Sequence, residues 1–565
     1  MRNCMYLKIQ LTINSILRNL DPIRWIVVFI LVITVVYPLL HLLDRSTIVD
    51  GSRTLSNYFH FLNWDSPYLG ALWGSVWISL ASVFFAGLIG VGLAFLFERV
   101  ALPAKSFLSA VATLPIVLPP LVGVVAFIFL LGESGIIPRS LQYLFDLSSP
   151  PFYLEGLSAI IVVHAYSFYV YFFLFTRAAF QRMDGATIEA AQSLGARQLT
   201  VLLRVIFPQL RSAISSAAIL VFMISMASFS APFLFGGDYR VLTVEIYNSK
   251  LQGDMPMAMA QSVMLGAISI LFLFLNIRTE SAASGAGQKG VPLPPRLIQK
   301  ALYRKLAAAT AIVVSLILAS PHLTLLLLSF TENGSWTSQI IPSSYSVANY
   351  VSLFLDEKVS EPIINSSTMA VLATSANFII AVLAAFWITQ RRWRAGKFAE
   401  LMIMIPWAIP GTVIAIALIV VFNTGHWFTA GSILVGSFWI LPLAYFLRHL
   451  PIVYRAAHAA FSRFDRFQEE AARSLGGSGW LIFRKVIFPA IRPGVLAGIL
   501  LAMVMSLGEF VSSILLYSFS NRPISIAILN EIRLLNLGTA AAYGIMLTVI
   551  IFTITWLANR WGETR

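Results

Sequence analysis

The sequence predicts an all-α membrane protein with about twelve transmembrane helices in two parallel six-helix repeats. Of its 565 residues, 58% are hydrophobic and only 11% are charged, and the mean hydropathy is +0.81, which is typical of membrane proteins. The apolar residues form continuous runs long enough to cross a bilayer as helices. These runs lack the alternation of barrel strands. A polar segment that occurs twice predicts the repeat.

The apolar runs place the predicted spans along the chain. They cover residues 24–43, 70–97, 107–131, 155–180, 211–235 and 257–277 in the first half, and 303–329, 365–390, 398–422, 431–450, 491–518 and 539–560 in the second. The first run follows Arg18 and Arg24 but has no small-residue cleavage site. We therefore predict a retained helix rather than a removed signal peptide.

The distribution of charge predicts which loops are cytoplasmic. If the amino terminus is inside, most of the 39 Lys and Arg residues fall in cytoplasmic segments, as the positive-inside rule requires. Both termini are then cytoplasmic. Topology explains the net charge of +14, so we expect the partner to be a lipid bilayer and not nucleic acid. The single cysteine, Cys4, excludes an internal disulfide and a cysteine-based metal site.

The repeat is visible in two segments of the sequence. EAAQSLGARQLTVLLRVIFPQL, from Glu189, returns 281 positions later as EAARSLGGSGWLIFRKVIFPAI, from Glu470. The prolines upstream of these segments recur at an offset of 291 instead, so the first half has about ten extra residues, expected in an external loop near residues 132–155. Six predicted spans separate the copies, so both face the same compartment.

These observations predict three parts of the chain. Residues 1–277 form the first half, 278–302 form a cytoplasmic linker that is small, polar and rich in proline, and 303–565 form the second half.

Each copy of the polar segment predicts a helix, a tight turn and a second helix, over about residues 185–210 and 466–491. Gly195 and Gly476 suit a left-handed turn, and Pro208 and Pro489 suit the start of a new helix at the membrane surface. Small residues such as Ala190 and Ala191 let one face enter a groove of a partner closely, and Leu194 and the neighbouring apolar positions supply burial there. The alternative is a helix that lies on lipid headgroups, which the matched spacing of the two copies disfavours.

The two segments resemble the "EAA, three residues, G" cytoplasmic loop of permease subunits of type I bacterial ABC importers. This resemblance implies the type I (MetI-like) permease fold in the bacterial inner membrane. It also implies that the loops couple the chain to two separate ATPase subunits, and that a periplasmic or extracellular solute-binding protein delivers the cargo. The coupling residues that match the motif are Glu189, Ala190, Ala191 and Gly195 in the first half, and Glu470, Ala471, Ala472 and Gly476 in the second.

The chain has no G-x-x-x-x-G-K-[ST] phosphate loop. We therefore expect a transport subunit and not an enzyme, with no cofactor of its own, and with ATP and Mg bound by the partner subunits. The doubled form is similar to the fused permeases of ferric-iron importers, which implies ferric iron as cargo. Thiamine, or another small solute such as an oxyanion, polyamine or phosphonate, remains an alternative. An ion-driven secondary transporter is the alternative class, and it predicts several buried ionisable residues.

The sequence also contains candidates for the translocation pathway. Glu509 is the carboxylate that the predicted spans enclose, so we expect it to face a charged partner or a water-filled cavity. Its equivalent in the first half is Ser228, so the two halves line the pathway unequally. The prolines Pro115, Pro119, Pro406 and Pro410 predict bends in the third span of each half, either for motion or for static packing. His164 and His449 are isolated, so we predict no metal site.

Overall fold

The computed structural model describes residues 22–102, 104–116, 118–284, 301–336, 339–390 and 396–563. In the first half the α-helices are α1 Pro22–Leu31, α2 Tyr37–Arg45, α3 Ser56–Leu62, α4 Pro67–Arg99, α5 Lys105–Ala112, α6 Pro120–Leu131, α7 Ile136–Leu144, α8 Gly156–Arg182, α9 Gly185–Ser193, α10 Gln198–Val201, α11 Phe207–Met226, α12 Ser230–Phe235, α13 Leu242–Leu251 and α14 Met255–Ser284. An antiparallel hairpin of β1 Ile48–Val49 and β2 Ser52–Arg53 follows α2.

The second half repeats this order. Its helices are α15 Ala301–Ser329, α16 Ala348–Leu355, α17 Glu357–Ala385, α18 Gly396–Ala408, α19 Gly411–Phe422, α20 Ile440–Arg463, α21 Arg466–Ser474, α22 Gly479–Ile482, α23 Phe488–Leu507, α24 Ser513–Leu516, α25 Ile524–Arg533 and α26 Leu537–Glu563. Short 3₁₀ turns span Leu114–Ile116, Trp427–Thr429 and Phe519–Asn521, and π turns span Val32–Val36, Leu202–Ile206, Phe386–Gln390 and Phe483–Ile487.

The spans follow the predicted order. In the described part of the chain, ten helices are long and apolar enough to cross a membrane, and the bent pair of α18 and α19 makes an eleventh if it is counted as one span. The predicted tenth span corresponds to α20, which Arg448, His449 and Arg455 make less apolar than those ten. This helix begins at Ile440, nine residues later than predicted, and extends to Arg463.

The third span of each half is broken at its prolines. In the first half α5 and the 3₁₀ turn containing Pro115 precede the break, and α6 follows Pro119. In the second half Pro406 lies inside α18, and α19 follows Pro410 at a bend of 111°. Proline has no N–H to donate, so the helical ladder is readily interrupted at these positions. Both α6 and α19 contain 12 residues.

One predicted boundary needs correction. The sequence predicts that the sixth span ends at residue 277, but α14 continues to Ser284. Residues 285–300, most of the predicted linker, lie outside the described residues. The extra residues of the first half fall within the predicted range 132–155, and they include α7 between α6 and α8.

The two halves exchange their first spans. Helix α2 packs against α19 of the second half, and α15 packs against α5 and α6 of the first half. The largest buried apolar cluster includes residues of both halves, such as Val122, Phe229, Ile416 and Phe510. The halves therefore share one core. Many side chains on the outer faces of the spans are apolar and exposed, for example Phe84 and Phe552, as expected where the neighbours are lipid tails.

Candidate functional site: coupling loops and broken fifth spans

Each predicted coupling segment folds as a helix, a turn and a second helix. The Asp184 carboxylate accepts a hydrogen bond from the Ala186 N–H at 3.1 Å and caps α9. The equivalent Asp465 carboxylate accepts one from the Phe467 N–H at 3.0 Å and caps α21. An acceptor at this position satisfies one of the free N–H groups of the first helical turn.

Both turns depend on the glycine. The φ angles of Gly195 and Gly476 are +78° and +83°, in the left-handed region that side chains disfavour. The residue before each glycine is a leucine that points away from the protein, and Leu194 and Leu475 are 88% and 89% exposed. An exposed leucine at the tip of a polar loop is an unfavourable surface feature unless a partner covers it.

The motif residues lie on the outer surface of these loops. Glu189, Ala190, Glu470 and Ala471 are exposed, as are both glycines, whereas Ala191 and Ala472 are half-buried. Ala191 packs with the buried Ile188, Val201 and Ile206 beneath the first loop. The structure thus places the predicted coupling residues together on each loop.

The two loops differ beneath and beside the motif. Position 188 is an isoleucine with 1% exposure, whereas its equivalent is Glu469, whose carboxylate pairs with Arg473 at 2.6 Å. Position 199 is a leucine, whereas its equivalent is Trp480, which is 71% exposed. Two partner surfaces of identical sequence would therefore meet loops of different charge and shape.

Pro208 and Pro489 lie in the first turn of α11 and α23, as predicted, but these helices are not separated from the segment before them. In each half a π turn runs directly into the long helix, and the N–H of Phe207 bonds to the carbonyl of Leu202, five residues earlier. The N–H of Phe488 bonds to Phe483 in the same way. In the π turn each backbone N–H bonds to the fifth residue before it instead of the fourth. Because the hydrogen bonding has already changed there, the missing N–H of the proline does not break the helix. The coupling loop is thus joined to the fifth span by continuous helix.

The fifth span ends earlier than predicted in both halves. Helices α11 and α23 stop at Met226 and Leu507, so Ser228 and Glu509 lie in the irregular backbone that follows. The carbonyl of Ser228 accepts a hydrogen bond from the Thr243 hydroxyl at 2.7 Å, and the carbonyl of Glu509 accepts one from the Ser525 hydroxyl at 2.8 Å. The break is therefore built in the same way twice.

Helices α13 and α25 also begin with the same kind of hydrogen bond in both halves. The N–H of Leu242, the first residue of α13, donates to the Ser75 hydroxyl at 2.9 Å. The N–H of Ile524, the first residue of α25, donates to the Ser366 hydroxyl at 2.8 Å. Ser75 and Ser366 are separated by the 291-residue offset of the upstream prolines. The repeat therefore extends to individual hydrogen bonds around the break.

The side chains at the break differ sharply between the halves. The Glu509 carboxylate is 6% exposed, lies 3.0 Å from Nε of Arg448 and accepts a hydrogen bond from the Ser512 N–H at 3.0 Å. The Ser228 hydroxyl instead meets Nε2 of His164 at 2.8 Å. The expected charged partner of Glu509 is Arg448, which sequence analysis missed because it stands near the end of an apolar run. The sequence signal that could have identified Arg448 is its position as a basic residue inside a predicted span.

The two histidines take part in polar networks within their halves. Nδ1 of His164 lies 2.9 Å from the Ser82 hydroxyl and 3.1 Å from the Ser225 hydroxyl. Nδ1 of His449 lies 2.9 Å from the Ser506 hydroxyl, the equivalent of Ser225. Among the described residues there is no cluster of three or more His, Cys, Asp or Glu that could hold a metal ion.

The proline break of the second half lies beside the ion pair. Gly411 follows Pro410, and a Cβ added to it would overlap Nη1 of Arg448 and lie 3.2 Å from the Ser512 hydroxyl oxygen. The first-half equivalents of Gly411 and Arg448 are Pro120 and Ser167. The absence of a side chain at Gly411 thus leaves room for the Arg448 guanidinium. The bend between α18 and α19, helix α20 and the break after α23 therefore meet at the contact between Arg448 and Glu509.

Comparison with known proteins agrees with the duplicated architecture. The family described as "Binding-protein-dependent transport system inner membrane component" matches the chain twice, over residues 82–278 and 377–561. The chain belongs to this family. Each match contains one coupling loop and one broken fifth span, so this inner membrane component carries both halves of a permease in one polypeptide.

Three curated relatives resemble this family member along most of its length. A probable ABC transporter permease protein, y4fN of Sinorhizobium fredii, is 28% identical and covers 91% of this chain and 90% of its own. The ferric transport system permease protein FbpB of Actinobacillus pleuropneumoniae is 26% identical, covering 86% and 71%. The Fe(3+)-transport system permease protein FbpB 2 of Haemophilus influenzae is 25% identical, covering 94% and 96%.

Proposed function

We propose that this inner membrane component is the permease of an ATP-driven importer of ferric iron. It spans the bacterial inner membrane with both termini in the cytoplasm, and the pathway runs between its two halves. The chain itself binds no nucleotide. Two ATPase subunits bind ATP and Mg and dock on its coupling loops, and an external solute-binding protein delivers the cargo.

The observation that carries this proposal is the pair of matched loops with exposed leucines. Leu194 and Leu475 stand at the tips of two capped turns, and the glycine after each leucine has a similar left-handed φ. Each loop continues through a π turn into a fifth span without a break. A displacement of the loop by a docked ATPase is therefore transmitted along the helix toward the centre of the protein.

The iron cargo rests on the relatives. Two of those described above are named for ferric transport, and they match this chain over most of its length. The buried acidic group at Glu509 agrees with a cationic cargo, but its pairing with Arg448 leaves the local charge balanced. The external solute-binding protein is expected to select the cargo, and the permease to pass it on.

Docking can be tested at the leucine tips. We expect the double variant Leu194→Asp/Leu475→Asp to lose co-purification with the co-expressed ATPase subunits, because a carboxylate would be buried in an apolar cleft. The matched control is Tyr143→Asp, in the external helix α7, where the tyrosine is 80% exposed. ATPase recovery equal to that of the control would refute docking at these loops.

The cargo is tested by uptake in cells that carry the complete importer. Radioactive ferric iron should accumulate in an ATP-dependent manner, and the double leucine variant should reduce the rate at least ten-fold while the tyrosine variant leaves it unchanged. Uptake of thiamine or an oxyanion instead of iron would overturn the cargo and leave the docking result intact.

A further inference from the structure

The residues that follow Ser228 and Glu509 are both phenylalanines, and they touch each other. Phe229 and Phe510 are equivalent at the 281-residue offset of the repeat. Their ring centroids are 5.8 Å apart with an interplanar angle of 56°. Both side chains are almost completely buried, with 1% and 2% exposure.

A contact between equivalent residues locates the symmetry axis. In a two-fold arrangement, a residue can touch its own equivalent only if both lie close to the axis. The two halves are parallel repeats, so this axis runs along the membrane normal between them. A pathway that the two halves form together follows the same axis. Phe229 and Phe510 therefore stand in the line of the pathway.

The aromatic pair lies at the end of the pathway far from the coupling loops. Helices α11 and α23 each contain 20 residues between the π turn and the break, which corresponds to about 30 Å of helix. This length is close to the thickness of the hydrocarbon core. With the loops in the cytoplasm, the pair lies toward the external surface.

Packing around the pair leaves little room on the axis. Phe233 stacks on Phe229 with centroids 5.0 Å apart and also reaches Phe510 at 6.4 Å, while Tyr247 packs edge-on against Phe229. On the other side, a Cβ added to Gly508 would lie 2.9 Å from Cβ of Pro119 in the first half. The halves thus meet closely both at the rings and beside them.

We propose that Phe229 and Phe510 form an aromatic seal that closes the pathway near its external end and opens when the two halves separate. This rests on the proposed function, because it assumes that the halves enclose a pathway. A hydrated ion cannot cross a constriction of packed rings without losing its water, so the seal blocks leakage.

Cross-linking tests the seal directly. In a Cys4→Ser background, which removes the natural cysteine, Phe229→Cys/Phe510→Cys is combined with a protease site inserted within residues 285–300. After treatment with a short bis-methanethiosulfonate, which can bridge the space that the two rings vacate, and proteolysis, the two halves should migrate as one band without reductant and as two with it. The complete importer should lose at least ten-fold of its uptake rate when cross-linked and regain it on reduction.

The single-cysteine variants Phe229→Cys and Phe510→Cys are the controls, and neither should link the halves. Absence of a cross-link in the double variant would overturn the placement of the rings on the axis. A cross-link that leaves uptake unchanged would overturn the seal. A cross-link in a complex that transports no iron, with or without reductant, would refute the proposed function while the contact stands.

A leak measurement separates sealing from simple packing. We expect Phe229→Ala/Phe510→Ala in the complete importer, reconstituted in vesicles without ATP, to pass small cations at least ten-fold faster than the unmodified importer. Phe510→Leu, which keeps an apolar side chain on the axis, should stay tight. A double alanine variant that elutes normally on size exclusion and does not leak would contradict the seal.

Discussion

The contact between Arg448 and Glu509 shows how one pair of residues distinguishes the two halves. The carboxylate is 6% exposed and the guanidinium 24%, so each charge depends on the other inside the membrane region. The first half has uncharged Ser167 and Ser228 at the equivalent positions. The pair therefore fixes the break of the second half electrostatically, and the first half uses hydrogen bonds alone.

Removing one member of this pair should destabilise the protein more than removing both. Arg448→Leu leaves the buried carboxylate with only His449 Nε2, 3.9 Å away, as a basic neighbour, and Glu509→Leu leaves the cation without its carboxylate, each change costing on the order of 3 kcal/mol. The double variant should recover most of the melting temperature of the detergent-solubilised protein. Glu509→Gln keeps the hydrogen-bond acceptor for the Ser512 N–H. Its melting temperature should therefore lie between those of the single leucine variants and the double variant.

A transport assay on the same variants assigns their role. If the pair serves only stability, uptake will follow the melting temperature and return in the double variant. If Glu509 acts on the cargo, the double variant will melt normally and still transport poorly. Independent, additive effects of the two single changes on the melting temperature would contradict the ion pair.

At the scale of elements, the coupling loops depend on a cap at the start and a left-handed glycine at the end. The Asp184 and Asp465 caps fix where α9 and α21 begin. Gly195 and Gly476 let the chain reverse so that Leu194 and Leu475 project outward. Each loop is thus a preformed surface, which lowers the entropy lost when a partner binds.

Alanine at either glycine should weaken this surface without unfolding the spans. A left-handed alanine costs about 1 kcal/mol, so we expect Gly195→Ala and Gly476→Ala each to weaken ATPase binding about five-fold. Ligand-free melting should hardly change. The control is Gly92→Ala in α4, where an added Cβ meets nothing within 4 Å. Binding that is the same in all three variants would argue against a role for the turn.

At the scale of the whole molecule, the exchange of first spans ties the halves together. Because α2 packs on α19 and α15 packs on α5 and α6, neither half buries its own surface alone. The shared core therefore holds the two halves in register.

Separate expression tests this arrangement. Fragments 1–284 and 301–565, produced together, should co-purify and reach the membrane as a complex. A second fragment that begins at residue 330, and so lacks α15, should associate at least ten-fold less well, because it exposes the surfaces of α5 and α6. Equal recovery of both second fragments would show that the exchanged span does not hold the halves.

The sequence alone determined the class of fold, the order of the spans, the parallel repeat and the positions of the two repeated polar loops. These features depend on hydrophobic runs and on local turn chemistry, which are properties of consecutive residues. It also predicted that Glu509 faces a charged partner or a water-filled cavity. The proline breaks and the insertion near residues 132–155 were likewise readable, since they alter the pattern locally.

Only the tertiary structure decided what meets across the chain. The partner of Glu509 is Arg448, 61 positions away, the fifth spans end before the predicted boundary, and Phe229 of the first half meets Phe510 of the second. In both fifth spans the apolar composition continues past the residue at which the helix ends. Hydropathy records whether a residue leaves water, but the neighbour it then touches depends on how distant helices pack.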